Sequence, residues 1–177
     1  AYDLQTGQPL WKVGGVNFDE PFALPLAGTF FCGAPTPSGN ELYIIGERDR
    51  EIRVYALNPQ TGEELWSQQI GNPEQDIALD MVRRWWLARV AVDQGILICP
   101  TTIGLVTAIG QLNHSILWST RYTSSASDEN GQHFNRLEQT SFEPLNHRWS
   151  PSAPIIIDSK VVYTPPDDQS LICLGVI

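Results

Sequence analysis

Ala1-Tyr-Asp-Leu-Gln-Thr-Gly-Gln-Pro-Leu-Trp11 returns as Ala56-Leu-Asn-Pro-Gln-Thr-Gly-Glu-Glu-Leu-Trp66, and a third time, without gaps, as Ala108-Ile-Gly-Gln-Leu-Asn-His-Ser-Ile-Leu-Trp118. The alanines stand 55 and 52 residues apart, and Cys173-Leu174-Gly175 takes the same place in a fourth copy, 65 residues further on. A fixed period is a statement about architecture, because each unit is one supersecondary module that buries its apolar face only by stacking on the next. The last spacing is longer because residues 123–148 carry extra material. In this frame the Thr-Gly pair of the fourth copy falls just past Ile177, so the chain is expected to begin and end inside a repeat.

Between the motifs, short apolar runs alternate with turn signals, the pattern of consecutive antiparallel strands. One unit reads as strands at Thr29–Ala34, Leu42–Gly46, Ile52–Leu57 and Glu64–Gln69, with Pro35–Asn40 as a break after the first. The next unit gives Leu87–Val92, Ile96–Cys99, Leu105–Ile109 and Ile116–Arg121, with a turn at Asp93-Gln94-Gly95. The last gives Ala153–Ile157, Val161–Thr164 and Leu171–Leu174. Helical repeats of similar period are disfavoured, since Val, Ile and Tyr in short runs bounded by Pro and Gly select strands. Pro73–Arg84 is the one stretch whose spacing of Ile77, Met81 and Arg84 permits a short helix.

Four strands per unit define a propeller blade. The expected fold is therefore all-β, a partial β-propeller of four-stranded antiparallel blades, about three and a half of them. The whole chain, 1–177, is expected to be one such piece. A blade end spans 1–13, blades follow at 29–70 and 86–122, and a last blade carries an inserted loop at 123–149 before 150–177 and lacks its final strand.

Each motif position has a physical use. Thr6-Gly7 and Thr61-Gly62 sit where a tight turn joins the third strand to the fourth, and glycine supplies positive φ there without steric cost. In the third copy Asn113-His114 replaces the pair, and both are among the side chains that best tolerate positive φ. Trp11, Trp66 and Trp118 follow at one fixed distance, each preceded by leucine. A tryptophan buries on the order of 200 Å², enough to lock one blade on the next. The small Ala1, Ala56 and Ala108 leave room for such rings, and these three alanines, the three tryptophans and the two Thr-Gly pairs form the structural repeat motif. A sugar-binding aromatic platform is the alternative use of the indoles, and a ligand or base role is the alternative for His114.

A content of 42% hydrophobic and 18% charged residues is that of a folded globular chain. The net charge of −9 argues against nucleic acid and anionic membranes as partners. No stretch approaches the roughly 20 apolar residues that span a bilayer, so no direct membrane span is expected. No signal peptide stands at Ala1. Cys32, Cys99 and Cys173 lie far apart in apolar or Gly-rich settings, without metal-ligand spacing, and read as small fillers of strands rather than as a disulfide or metal site.

Two regions remain as candidate chemistry. His133, His147, Glu138 and Glu143 share the least repetitive stretch, 123–149, a potential metal-binding loop or a solvated excursion. Asp76, Asp80, Arg83 and Arg84 precede Trp85-Trp86, a composition that serves either partner binding or local salt bridges at a blade edge. No nucleophile elbow, phosphate loop or dinucleotide fingerprint is present.

The pattern Ala-x-Asp-x-x-Thr-Gly-x-x-Leu-Trp, following a Val-Tyr-rich strand, resembles the tryptophan-docking motif of pyrroloquinoline-quinone-like (quinoprotein-type) β-propeller repeats. The resemblance covers nearly the whole chain. It is strong at Ala1–Trp11 and Ala56–Trp66, lacks Thr-Gly at Ala108–Trp118, and has Cys173 for alanine in the fourth copy. Asp93–Pro100 and Ser150–Pro154 also resemble blade openings of that family. The resemblance implies a propeller of up to eight four-stranded blades. It also implies one of three callings: a quinone-dependent dehydrogenase, an outer-membrane assembly lipoprotein, or a sensor or scaffold domain.

The catalytic members hold their quinone beneath a disulfide of adjacent cysteines, on a Glu/Asn/Asp calcium site with an aspartate base. No Cys-Cys pair occurs in this sequence. The expectation is accordingly a non-catalytic scaffold for protein or ligand, with no catalytic, metal or cofactor residue assigned. Pyrroloquinoline quinone with calcium enters only under the alternative of an alcohol or sugar dehydrogenase piece, and a sensor domain fused to a kinase or transporter is a further alternative. Expected partners are another protein or the rest of a propeller, with self-association through open blade edges. The resemblance favours a periplasmic or cell-envelope location.

Overall fold

The computed structural model describes residues 1–15, 24–81, 83–122, 152–165 and 170–176. Among the described residues twelve short strands make three antiparallel sheets in chain order. The first sheet holds β1 (Phe30–Phe31), β2 (Thr36–Ser38), β3 (Glu41–Arg48), β4 (Glu51–Leu57) and β5 (Glu64–Gly71). The second holds β6 (Ala91–Asp93), β7 (Ile96–Pro100), β8 (Leu105–Gly110) and β9 (Ile116–Arg121). The third holds β10 (Ile155–Ile157), β11 (Lys160–Tyr163) and β12 (Ile172–Gly175). Each sheet is a plain meander, and residues 1–13 add a hairpin closed by the Tyr2–Pro9 bridge.

The innermost strand of the first sheet departs from its sequence reading. Only Phe30–Phe31 of Thr29–Ala34 is regular strand, while Thr36–Ser38, inside the supposed Pro-rich break, pairs with Leu42 and its neighbours. Both pieces lie along the same edge of β3, linked by Cys32 N–H donating to Ile45 O (2.8 Å), so they act as one interrupted strand. Proline is tolerated because an edge strand can spare an N–H. In the next unit, likewise, only Ala91–Asp93 of the innermost region is strand. The hairpin turns use two residues in the left-handed region, Asp49-Arg50, Gln94-Gly95 and Asp158-Ser159, the backbone twist that matches two-residue loops.

Period-two alternation divides every strand between two neighbours. Tyr43 and Ile45 of β3 and Ile52, Val54 and Ala56 of β4 face Leu97, Cys99 and Ile109 of the second sheet. Ile98, Val106 and Ala108 turn the other way, onto Val161, Tyr163 and Val176 of the third. Ile44, Tyr55 and Leu57 pack with Val13, Leu26 and Phe31 on the N-terminal side. The core is thus a series of inter-sheet layers between antiparallel sheets stacked face to face, a partial β-propeller. Shifting one strand by a single residue would exchange its two cores.

Pro73–Arg84 does not wind into a helix. It runs as turns into a single 3₁₀ turn at Arg83–Trp85. Asp76 and Asp80 take the N–H groups of Ala78 and Arg83 on their carboxylates, which favours capped turns over a helical ladder. Among the described residues no helix is long and apolar enough to cross a membrane.

Candidate functional site

The repeat motif builds one local structure three times. Asp3 accepts hydrogen bonds from the N–H groups of Gln5 and Thr6, and Gly7 N–H closes the turn on Asp3 O. Asn58 accepts from Gln60 and Thr61, and Gly62 N–H closes on Asn58 O. In the third copy Gly110 stands at the aspartate position and His114 N–H closes on its carbonyl. Gly7, Gly62 and His114 have φ of 69°, 76° and 56°. Thr6, Thr61 and Asn113 each place a side-chain oxygen on the N–H two residues on.

Ala56 lies directly across from Trp66, and Ala108 from Trp118. In both sheets a register shift follows the alanine, leaving Leu65 and Leu117 as bulged, half-exposed residues beside the ring. The bulge re-aims the tryptophan toward the next sheet. Trp11 Nε1–H donates to Pro59 O (3.0 Å), and Trp118 Nε1–H to Val176 O (2.8 Å), the same motif position one repeat on. A Cβ on Gly62 would stand 2.5 Å from the Trp11 ring, so glycine at 62 is required by close approach as well as by φ.

Trp66 is the exception. Its neighbour in the next motif is His114, whose ring stacks on the indole at 4.2 Å and 16°. A side chain at this position prevents the close seat that Trp11 takes, and the Trp66 N–H turns instead to Glu41 Oε2 (3.0 Å). Glu41 also accepts from Tyr43 Oη, which in turn accepts from Gln111 Nε2, so the junction is closed by side chains. All three indoles are only partly buried. His114 has a packing partner in Trp66, and nothing around it forms a metal cluster: no group of three or more His, Cys, Asp or Glu is so placed among the described residues.

The segment before β6 carries a buried ion pair. Arg83 and Glu47 are each 1% exposed and bond in bidentate fashion, at 2.8 Å from Nη2 to Oε1 and 3.0 Å from Nη1 to Oε2. Arg83 Nε also meets Asp80 (3.1 Å), and Glu47 takes the N–H of Ile77 (2.9 Å). Burial pushes the Glu47 carboxyl above its ordinary range against the pull of Arg83, and the Cys32 thiol nearby is pushed up to about 12. The sequence pointed to Arg83 but not to Glu47. The signal was there: Glu47 continues the inward series Tyr43, Ile45 on β3, a charged residue at a core position.

Pinned by this clip, the segment presents Leu79, Met81, Trp85 and Leu87 to solvent, Trp85 at 74% exposure, while Trp86 beside it is buried. Arg84 donates from Nε to Ile77 O and from Nη2 to Ala78 O, which shapes the loop. Cys32 and Cys99 are buried fillers, whereas Cys173 is exposed on the outer face of β12. His133, Glu138, Glu143 and His147 lie outside the described residues.

Stacked antiparallel sheets, docked on one another through the indoles of the repeat motif, define a β-propeller of the quinoprotein-like repeat class. The chain belongs to the family described as outer membrane protein assembly factor BamB, whose model matches residues 1–127 and again residues 50–174, about one repeat apart. Among solved structures it resembles BamB from Moraxella catarrhalis, with 16% identity and a TM-score of 0.55, over 99% of this chain and 42% of that one. The chain thus spans less than half the length of that protein, and the likeness concerns the fold. Two computationally designed proteins also match: Ika8, at 12% identity and TM-score 0.39 over 98% of this chain and 51% of that one, and Ika4, at 14% and 0.41 over 96% and 99%. No curated protein matches.

Proposed function

We propose that the chain is a non-catalytic propeller domain that binds a protein partner in the cell envelope, within assembly of the outer membrane. The observation that carries this reading is the pinned loop. A desolvated Glu47–Arg83 pair holds Leu79, Met81, Trp85 and Leu87 outward on a rigid base. Buried charge is costly and sets geometry more than stability, and an exposed tryptophan in a segment with three further exposed apolar side chains is the composition of a binding hot spot. The family description, an assembly factor of the outer membrane, supports the partner class and a periplasmic site of action. The motif residues Ala1, Thr6, Gly7, Trp11, Ala56, Thr61, Gly62, Trp66, Ala108 and Trp118 are, on this reading, structural: turns and docks rather than ligand contacts.

A photo-crosslinking side chain at position 85, in cells that make the protein, tests the proposal. It should yield one dominant adduct with an envelope assembly protein, absent when the probe is moved to the exposed Leu112. Crosslinks equally distributed from both positions would overturn it. Titration with pyrroloquinoline quinone and calcium should leave the indole fluorescence unchanged. Saturable quenching would favour the dehydrogenase alternative.

A further inference from the structure

We propose that residues 75–85 are a flap that swings out as one piece, with Glu47 as its catch, and that the docking face exists only while the catch is closed, a consequence that rests on the binding role proposed for this face. Gly71, paired with Ile52 at the end of β5, fixes the chain before the flap. Ala88, whose N–H donates to Cys32 O (2.9 Å), fixes it after. Between these two points the apolar layers take no side chain: the layer joining the first and second sheets includes Ile70 and Ala88 and, among the described residues, nothing from the stretch between them.

Hydrogen bonding isolates the flap in the same way. Among the described residues, the bonds from 75–81 and 83–85 that reach outside 73–87 all end on the Glu47 carboxylate: Ile77 N–H on Oε1 (2.9 Å), and the Arg83 guanidinium on both oxygens (2.8, 2.9 and 3.0 Å). The other bonds stay within the segment. Leu79 N–H donates to Asp76 O (3.0 Å), Asp80 N–H to Ile77 O (3.3 Å), Arg84 N–H to Asp80 O (3.3 Å) and Arg84 Nε–H to Ile77 O (2.9 Å). A segment braced internally and tied outward at one side chain moves as a unit when that tie parts.

Charge balance lets it leave. Separating a buried ion pair is strongly unfavourable where it strands a bare charge in the core. Here Arg83 keeps two partners inside the flap, Asp80 Oδ2 at Nε (3.1 Å) and Gln75 O at Nη2 (3.2 Å), so the cation departs with a counter-ion. Glu47 is left facing the water that opening admits. Neither charge is stranded, which sets this opening well below global unfolding in free energy. With the catch closed, Leu79, Met81 and Trp85 stand outward on a fixed base. With it open, their placement relative to the sheets is lost.

Residue-by-residue hydrogen exchange on the intact protein, with and without urea below the unfolding transition, tests the flap. The Ile77 amide should exchange through an opening that urea barely changes, because little surface is exposed, while Tyr55 in β4 and Thr107 in β8 should follow urea-dependent unfolding. Glu47→Gln keeps the shape of the side chain but sets an NH₂ donor against the guanidinium. It should speed exchange at Ile77 about tenfold and leave Arg84, bonded within the flap, within about twofold of its original rate. An Ile77 amide that opens only with the whole fold, an Ile77 rate indifferent to Glu47→Gln, or Arg84 accelerating in step with Ile77 would each overturn the flap. Should Glu47→Gln not fold, the urea dependence of the unaltered chain and Arg83→Lys, which keeps the charge but not the fork, decide in its place. The docking consequence is read separately, with the crosslinking side chain at position 85. Glu47→Gln should lower the adduct yield several-fold. An undiminished yield would overturn the link between flap and docking, and no adduct with Glu47 in place would overturn the binding role itself, whatever the exchange rates show.

Discussion

At the junction before the first sheet, Trp11 lies against a glycine and its N–H reaches a backbone carbonyl; at the junction after it, Trp66 lies on an imidazole and its N–H reaches a carboxylate. The motif is the same and the fixings differ. The earlier junction borders a groove and is held by the Trp11 indole and a small apolar cluster in which Val13 and Leu26 pack on Ile44, Tyr55 and Leu57. The later one has a buried apolar core, the Thr36 Oγ1–H to Val90 O bond (2.7 Å), the Ala88 N–H to Cys32 O bond (2.9 Å) and the Glu47–Arg83 clip. The repeat motif therefore places the sheets. How firmly each pair is joined depends on residues outside it.

Breaking the clip should have the largest effect. Arg83→Met leaves Glu47 buried without its cation and should cost about 3–5 kcal/mol, while Glu47→Leu combined with it should recover most of the loss, because an apolar pair replaces a buried ion pair nearly neutrally. Urea unfolding followed by tryptophan fluorescence measures both. A loss below about 1 kcal/mol for Arg83→Met would mean that the second junction does not depend on the pair.

The indoles sharpen the contrast. Full burial would make Trp66→Ala cost about 3–5 kcal/mol, and its partial exposure lowers the expected loss to about 2–4. Trp11→Ala, at the groove, should cost about half as much. Equal losses in the same urea titration would show that the two junctions are energetically alike despite their different fixings.

Much of this was legible because repeats are periodic and turns are local. The frame Ala1, Ala56, Ala108 located the sheets, and positive φ at His114 followed from which residues accept it. Three things were not legible. Phe30–Ser38 became an interrupted edge strand because β3 needed a partner along its length, a tertiary demand that outweighs the proline signal. Pro73–Arg84 stayed unwound because Arg83 must reach Glu47, 36 residues earlier. The acceptor of Trp66 is Glu41, outside the motif, and no local pattern marks it. Contacts distant in sequence are what a single chain without its relatives conceals.

The turns differ by less. Gly62→Ala meets both the φ of 76° and the Trp11 ring, and should cost about 2–3 kcal/mol from left-handed strain and overlap together. His114→Gly relieves the same strain but loses the stack on Trp66, so its net effect should stay within about 1 kcal/mol of zero. Thermal unfolding distinguishes them. A large loss at 114 would make the imidazole stack, rather than the backbone turn, the fixing of the second junction.

The smallest effect separates the first turn from the second by charge. Asp3 carries a carboxylate where Asn58 carries an amide, and the hydrogen bonds from Thr6, then Gln5, hold the Asp3 carboxyl below its ordinary 3.8. A carboxyl depressed by folding stabilises the folded turn above its unfolded value, and that contribution disappears as pH falls through the depressed one. The window is acidic, below about pH 4. Amide exchange at Thr6 and Gly7 should accelerate there relative to Thr61 and Gly62, after correction for the intrinsic pH dependence. Asp3→Asn should make the two turns titrate alike, and a pH response that persisted in that variant would place its origin elsewhere.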